Sequence, residues 1–104
     1  MSKQSSLKEI VTSEITVDKK LFTKPLPEIM ILYAMDIDHL IITEKSNKAF
    51  EEKAIVKEKV RVFEYEETYT IKIPQKIYDF YRLDENDYTI MVSEKEPITI
   101  VIAI

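Results

Sequence analysis

The 104-residue chain contains no glycine and no cysteine. Average usage would put about seven glycines in a chain of this length; without them no glycine-rich loop can cradle a phosphate. Every left-handed turn position must then fall to asparagine, aspartate or a strained residue. The two asparagines, Asn47 and Asn86, both stand where a turn is expected. Without cysteine there is no disulfide, no thiolate nucleophile and no thiolate metal site, which fits a cytoplasmic protein. Long apolar runs are also missing: residues 29–35 and 98–104 are the longest, and both are far too short to span a bilayer. Residues 1–6 are polar, lack the apolar run of a signal peptide, and read as a flexible tail.

An excess of positive charge is absent too. Lys and Arg total 15 against 19 Asp and Glu, for a net charge of −4. Residues 1–56 carry 8 basic and 9 acidic side chains, or −1, and residues 57–104 carry 7 and 10, or −3. Such a balance argues against nonspecific binding to nucleic acid or to an anionic membrane, since both need a cationic face.

What is present describes a folded domain, with 45% apolar and 33% charged residues. The length suffices for a core without metal or disulfide staples. Sixteen isoleucines together with abundant Lys and Glu resemble a thermophile's composition.

The chain reads as two similar halves, 7–56 and 57–104, forming one domain. Each half reads extended, turn, extended, proline, short helix, acidic turn, strand, strand, and Pro27 and Pro74 lie 47 residues apart. In the first half, strands are expected over 9–17 and 20–26, broken at Asp18-Lys19-Lys20. Pro27 is well placed to open a helix over 28–35, apolar all round and therefore buried or covered by a partner. A strand over 40–43, a turn at Ser46-Asn47-Lys48 and a return strand over 49–56 follow. In the second half, strands over 60–65 and 69–73 lead to Pro74. A helix over 75–82 then carries Ile77, Phe80 and Tyr81 at helical spacing. Alternating residues at 88–92 and 98–104 give the last two strands, and the final one needs pairing within a barrel or an interface, because as an open edge it would aggregate.

Residues 60–104 resemble the AbrB/SpoVT family of swapped-hairpin domains, whose signature is strand, turn, strand ending Ile-Pro, short helix, Leu-x-x-Gly-Asp and two strands. Ile73-Pro74, Ile77 and Leu83 take their places in that pattern, and Asn86-Asp87 stands where Gly-Asp would be. The first half fits less closely, through Leu26-Pro27 and Met35, with Asp38-His39 in place of Gly-Asp. The resemblance implies a mainly β, α+β fold: a cradle-loop or swapped-hairpin-like β-barrel from two βαββ-like units, closed within one chain or by a homodimer.

It also implies a DNA-binding transcriptional regulator. Thr23 and Thr70, however, occupy the positions where the family carries an arginine, and Glu64, Glu66 and Glu67 would repel phosphate. The basic residues left for DNA are Lys19, Lys20 and Lys24 in the first half, with Lys3 and Lys8 upstream, and Lys72 and Lys76 around Pro74. The alternative is a protein-binding module, an antitoxin-like inhibitor or adaptor that has lost DNA binding. It would work through Met30 and Ile31 of the apolar helix and through Tyr78, which lies off the Ile77 face.

Other chemistry is weaker. His39 beside Asp36 and Asp38 has metal-ligating residue types, but acidic residues ordinarily cap and solvate such a turn. Glu51-Glu52 and Glu66-Glu67 would point to opposite faces of a strand and not act as pairs. The expectation is therefore no enzyme, no cofactor, no metal, no small-molecule substrate and no membrane, with DNA, a protein or a second copy as partner.

Overall fold

Period-two alternation of branched apolar residues builds most of the structure, a computed structural model that describes residues 13–95 and 97–104. Seven strands follow in chain order: β1 (Glu14–Asp18), β2 (Ile29–Asp36), β3 (His39–Thr43), β4 (Val56–Glu64), β5 (Thr68–Lys72), β6 (Thr89–Ser93) and β7 (Thr99–Ala103). Two helices, α1 (Lys48–Lys53) and α2 (Gln75–Tyr81), and a 3₁₀ turn at Lys19–Leu21 complete the elements of the described residues. The strands form one sheet in the order β1-β5-β4-β2-β3-β7-β6, every neighbouring pair antiparallel. The sheet curls into a nearly closed barrel, so the expected mainly β, α+β barrel is observed. Its two ends are tied by the Glu94 carboxylate, which accepts the Thr23 and Lys24 N–H groups at 2.8 and 3.2 Å. The expected tail 1–6, the start of the 9–17 strand, Lys3 and Lys8 lie outside the described residues. Among the described residues, no helix is long and apolar enough to cross a membrane.

Alternate residues from successive strands fill the barrel: Met30 and Leu32 from β2, Leu40 and Ile42 from β3, Ile100 and Ile102 from β7, all fully buried. Each such side chain contributes about 1.5–3 kcal/mol on leaving water. The expected alternation of the last strand is met: β7 lies between β3 and β6, and the open edge falls to β6 instead.

Three elements differ from the sequence reading. Residues 28–35 are not a helix; Ile29–Asp36 is β2, flanked by β3 and β4. Its continuous apolar run arises because both faces are covered. The inner face meets the core, and on the outer face Tyr33 lies 5.7 Å ring to ring from Phe50 of α1. Such a run cannot be told from a buried helix by periodicity. Residues 20–26 are not a strand: the Asp18 carboxylate accepts the Lys20 N–H and starts the 3₁₀ turn, and Pro25 and Pro27 have no N–H to give to a ladder. Residues 49–56 do not return as a strand. Asn47 caps α1 by accepting the Phe50 N–H at 3.0 Å, and Lys-Ala-Phe-Glu-Glu-Lys contains mainly good helix formers, a signal present in the sequence.

The second half follows the expected order, β4-β5-α2-β6-β7, with α2 starting after Pro74. The first half runs β1, 3₁₀ turn, β2, β3, α1, so its helix comes last and Pro27 precedes a strand where Pro74 caps a helix.

The left-handed position is also not an asparagine. Asn47 is extended, with φ −129°, and Asn86 donates its side-chain N–H to the Tyr81 carbonyl at 3.1 Å. Among the described residues, only Arg82 has positive φ, at 50°. It ends α2, where the Arg82 and Leu83 N–H groups both reach back 3.1 Å, to the Asp79 and Tyr78 carbonyls. A Cβ in this conformation costs about 1–2 kcal/mol, partly offset by the freedom glycine adds to the unfolded chain. Arg82→Gly is expected to stabilise the protein by about 0.5–1 kcal/mol, read as a higher urea midpoint at unchanged slope.

Candidate functional site

The strand register gives the barrel two distinct ends. At one lie Glu14, Lys72, Ala34, His39, Ala103 and Thr89; at the other, Asp18, Thr68, Ile31, Thr43, Thr99 and Ser93. α2 joins β5 to β6 and lies across the first end, where the Tyr81 hydroxyl donates to the Asp36 carbonyl.

This geometry separates the lysines. Lys19, Lys20 and Lys24 follow β1 at the second end, whereas Lys72 and Lys76 sit at the first, Lys72 opposite Glu14. The length of the β1–β5 pair, about 13 Å at strand rise, stands between them, so they do not form one strip. Lys19 pairs with Glu64 at 2.7 Å and lies 5.5 Å from the centre of the Tyr69 ring. Its N–H donates to the Glu67 carbonyl, which sets the basic turn directly against the acidic one. Asp18, Glu64, Glu66, Glu67 and Glu94 share that end of the molecule with the three lysines. Lys72 is paired with Glu14 at 2.7 Å. Lys20, Lys24 and Lys76 remain exposed.

The residues expected to meet a protein partner are also relocated. Met30 is fully buried inside the barrel and has no surface to offer. Ile31 is half-buried on the outer face of β2, and Tyr78 is half-buried against the core. Burial, with Asp84 nearby, pushes the Tyr78 hydroxyl above its ordinary pKa.

An apolar groove of about 240 Å³ opens instead beside α2, lined by Ala34, Ile55, Val56, Lys76, Ile77, Phe80 and Tyr81. Local structure explains its walls. The Ile55 N–H donates to the Ala34 carbonyl at 2.7 Å, holding the α1–β4 connection beside β2 while the Ile55 side chain stays 65% exposed. On α2, Ile77 and Tyr81 point inward, one turn apart. Phe80, expected on the same buried face, is 63% exposed and meets Tyr81 edge-on at 5.0 Å. One residue beyond the carbonyl that accepts the Tyr81 hydroxyl, Ile37 is 78% exposed. Ile55 and Phe80 thus leave large apolar side chains open to water at this recess. The signal in the sequence was present but ambiguous, because Phe80 at i+3 from Ile77 fits a buried stripe equally well.

A second recess, of about 310 Å³, is bounded by Leu26, Glu28, Arg61, Val62, Phe63, Glu64 and Tyr69. Its mixed apolar and charged lining includes two carboxylates and points to no single ligand class.

Asp36, Asp38 and His39 bring their ligand-type atoms within 4.8 Å of one another. His39 Nδ1 lies 3.0 Å from Asp36 and 2.8 Å from Asp38, with all three side chains about half exposed. The Asp36 carboxylate also accepts the Asp38 N–H at 3.0 Å, the ordinary way an acidic residue closes a two-residue turn. The hydrogen bond to Asp36 is the main reason His39 holds its proton above the usual 6.5. Because the folded value is raised, the stabilisation from protonated His39 is complete below the unfolded histidine's pKa. It is lost as pH rises through the higher folded value. The imidazole C–H signals of this one histidine are expected in NMR to titrate above 6.5 and their midpoint to move down in Asp36→Asn; an unmoved midpoint would remove the pair as its cause.

Comparison with known proteins finds no match: no family model, no curated sequence and no solved structure is significantly similar to this chain.

Proposed function

We propose that this chain is a non-enzymatic protein-binding module of AbrB-like build, which takes an apolar segment of another protein into the groove beside α2. The observation that carries this reading is the exposure of both Phe80 of α2 and Ile55 of the α1–β4 connection on the lining of one apolar recess. Lys76 is the charged residue on its lining, so an acidic residue next to the apolar anchors suits the segment. Aromatic side chains such as Phe80 are enriched at the cores of such contacts. The order strand, strand, Pro74, α2, strand, strand in the second half agrees with the unit that the family resemblance implies.

A selection of displayed peptides against the folded protein tests the reading. Enriched peptides are expected to carry two apolar anchors and an acidic neighbour, and to bind Phe80→Asp about tenfold or more weakly. Peptides that bind Phe80→Asp and Ile55→Asp as well as the parent, both variants folded, would overturn it.

The DNA-binding regulator is the second reading, favoured by the exposed Lys20 and Lys24. Against it, the acidic turn already engages Lys19, and the lysines lie at two ends of the barrel. A duplex titration separates the two. The regulator requires affinity that falls steeply with salt and fails in Lys19→Glu/Lys20→Glu/Lys24→Glu; the binding module requires neither.

A further inference from the structure

We propose that β6 is a self-association edge, pairing antiparallel with β6 of a second copy about a two-fold axis through Met91. Among the described residues, β6 pairs only with β7, so one row of its backbone N–H and C=O groups is open. Soluble proteins usually protect such an edge with charge, proline or a bulge. The strand Thr89–Ser93 has no charged residue and no proline, and its register with β7 is continuous. β1, the other end of the sheet, differs: it carries Glu14 and Asp18 at its two ends, and its inward residues Ile15 and Val17 are buried. On β6 the inward residues Ile90 and Val92 stay half-exposed, although their β7 neighbours Ile102 and Ile100 are fully buried. Met91, on the outer face, is 50% exposed. Backbone and apolar side chains are thus left open together along one strand.

Charge selects a second copy as the occupant. In an antiparallel pairing about Met91, Ile90 opposes Val92 of the second copy and Thr89 opposes Ser93. Two pairs further out on each side, beyond Tyr88 and Glu94, Asp87 opposes Lys95. Both Asp87 and Lys95 are exposed, and neither makes an ion pair within the chain among the described residues. The two-fold axis makes each favourable pairing occur twice. A parallel pairing in register would set Asp87 against Asp87 and Lys95 against Lys95, and like charges directly opposed are unfavourable. A slip of one residue would turn Ile90 and Val92 away from the core side. The antiparallel register centred on Met91 satisfies face and charge at once. Glu94, which would oppose Tyr88, keeps its carboxylate on the Thr23 and Lys24 N–H groups of its own chain.

The test is mass against concentration by sedimentation equilibrium on the full chain, with circular dichroism to confirm that each variant is folded. The parent is expected to show a reversible monomer–dimer equilibrium. Asp87→Lys should weaken dimerisation roughly tenfold by opposing like charges twice, and the charge swap Asp87→Lys/Lys95→Asp should restore it. Because the chain has no cysteine, Met91→Cys supplies a single thiol at the two-fold axis. Directly opposed residues there bring Cα atoms to about 4.5–5.5 Å, within disulfide reach, so mild oxidation should give a covalent dimer. A strict monomer at millimolar concentration, with no covalent dimer from oxidised Met91→Cys, would overturn the proposal. So would a dimer indifferent to both charge variants, which would place self-association on another surface.

Discussion

Leu32→Ala is expected to remove about 2–5 kcal/mol of stability, the cost of a large cavity at a site that cannot collapse. Leu32 is fully buried, at the centre of a strand paired on both sides by β3 and β4. Small domains have about 5–15 kcal/mol in all, so this single change takes a large share of it. Ile29→Ala, at a 50% exposed site three residues away on the same strand, should cost under about 1 kcal/mol. Urea unfolding measures both, with midpoints shifting at constant slope. Equal losses at the two positions would contradict the period-two inside–outside pattern of β2.

Tyr33→Phe is expected to cost about 1–3 kcal/mol although it deletes one oxygen atom. The Tyr33 ring is fully buried, and its hydroxyl works in both directions. It accepts the Asn47 N–H at 3.0 Å and donates to the Glu51 carboxylate at 2.9 Å. Asn47 caps α1 and Glu51 lies in its first turn, so this hydroxyl fastens the helix to the outer face of β2. Glu51 is held further by Lys57 at 2.7 Å; that contact, followed by the Tyr33 hydroxyl, keeps its carboxyl below the usual range. Phenylalanine preserves the packing against Phe50 and leaves the half-buried Asn47 N–H without its acceptor. A loss no larger than that of an exposed substitution would mean that water replaces the hydroxyl and α1 docks through its aromatic contact alone.

Both predictions concern the segment where sequence and structure part most clearly. Residues 29–35 are apolar at nearly every position, and the usual discriminators pointed the wrong way: Pro27 just ahead of the run looked like a helix start, and the apparent counterpart after Pro74 is a helix. What the run lacked was a sequence signature for being covered twice. One cover comes from the core and the other from α1, whose Phe50 is 17 residues away from Tyr33. The groove was obscured for the same reason. Phe80 has the spacing of a buried position, but its exposure depends on the distance between α2 and the α1–β4 connection, which no local pattern encodes. The lysines available for DNA are visible in the sequence as residue types, but only the antiparallel pairing of β1 with β5 shows that they divide between two ends, and only the fold shows that Lys19 is already engaged by Glu64.

The sequence by itself determined the class of the fold and most of the second half. Alternation in β5, β6 and β7 is a local property, repeated every two residues. The place of α2 follows from Pro74, which cannot continue the ladder but can precede a helix. Composition likewise ruled out disulfide, thiolate and glycine-loop chemistry before any element was assigned. The tertiary structure decided which apolar run is a doubly covered central strand, where the left-handed residue falls, which charges neutralise one another and which hydrophobic side chains stay outside. Those outcomes rest on contacts between residues far apart in the chain. Burial, pairing and electrostatic neutralisation each require a partner, and the identity of the partner is set by strand order and register, not by the neighbouring residues.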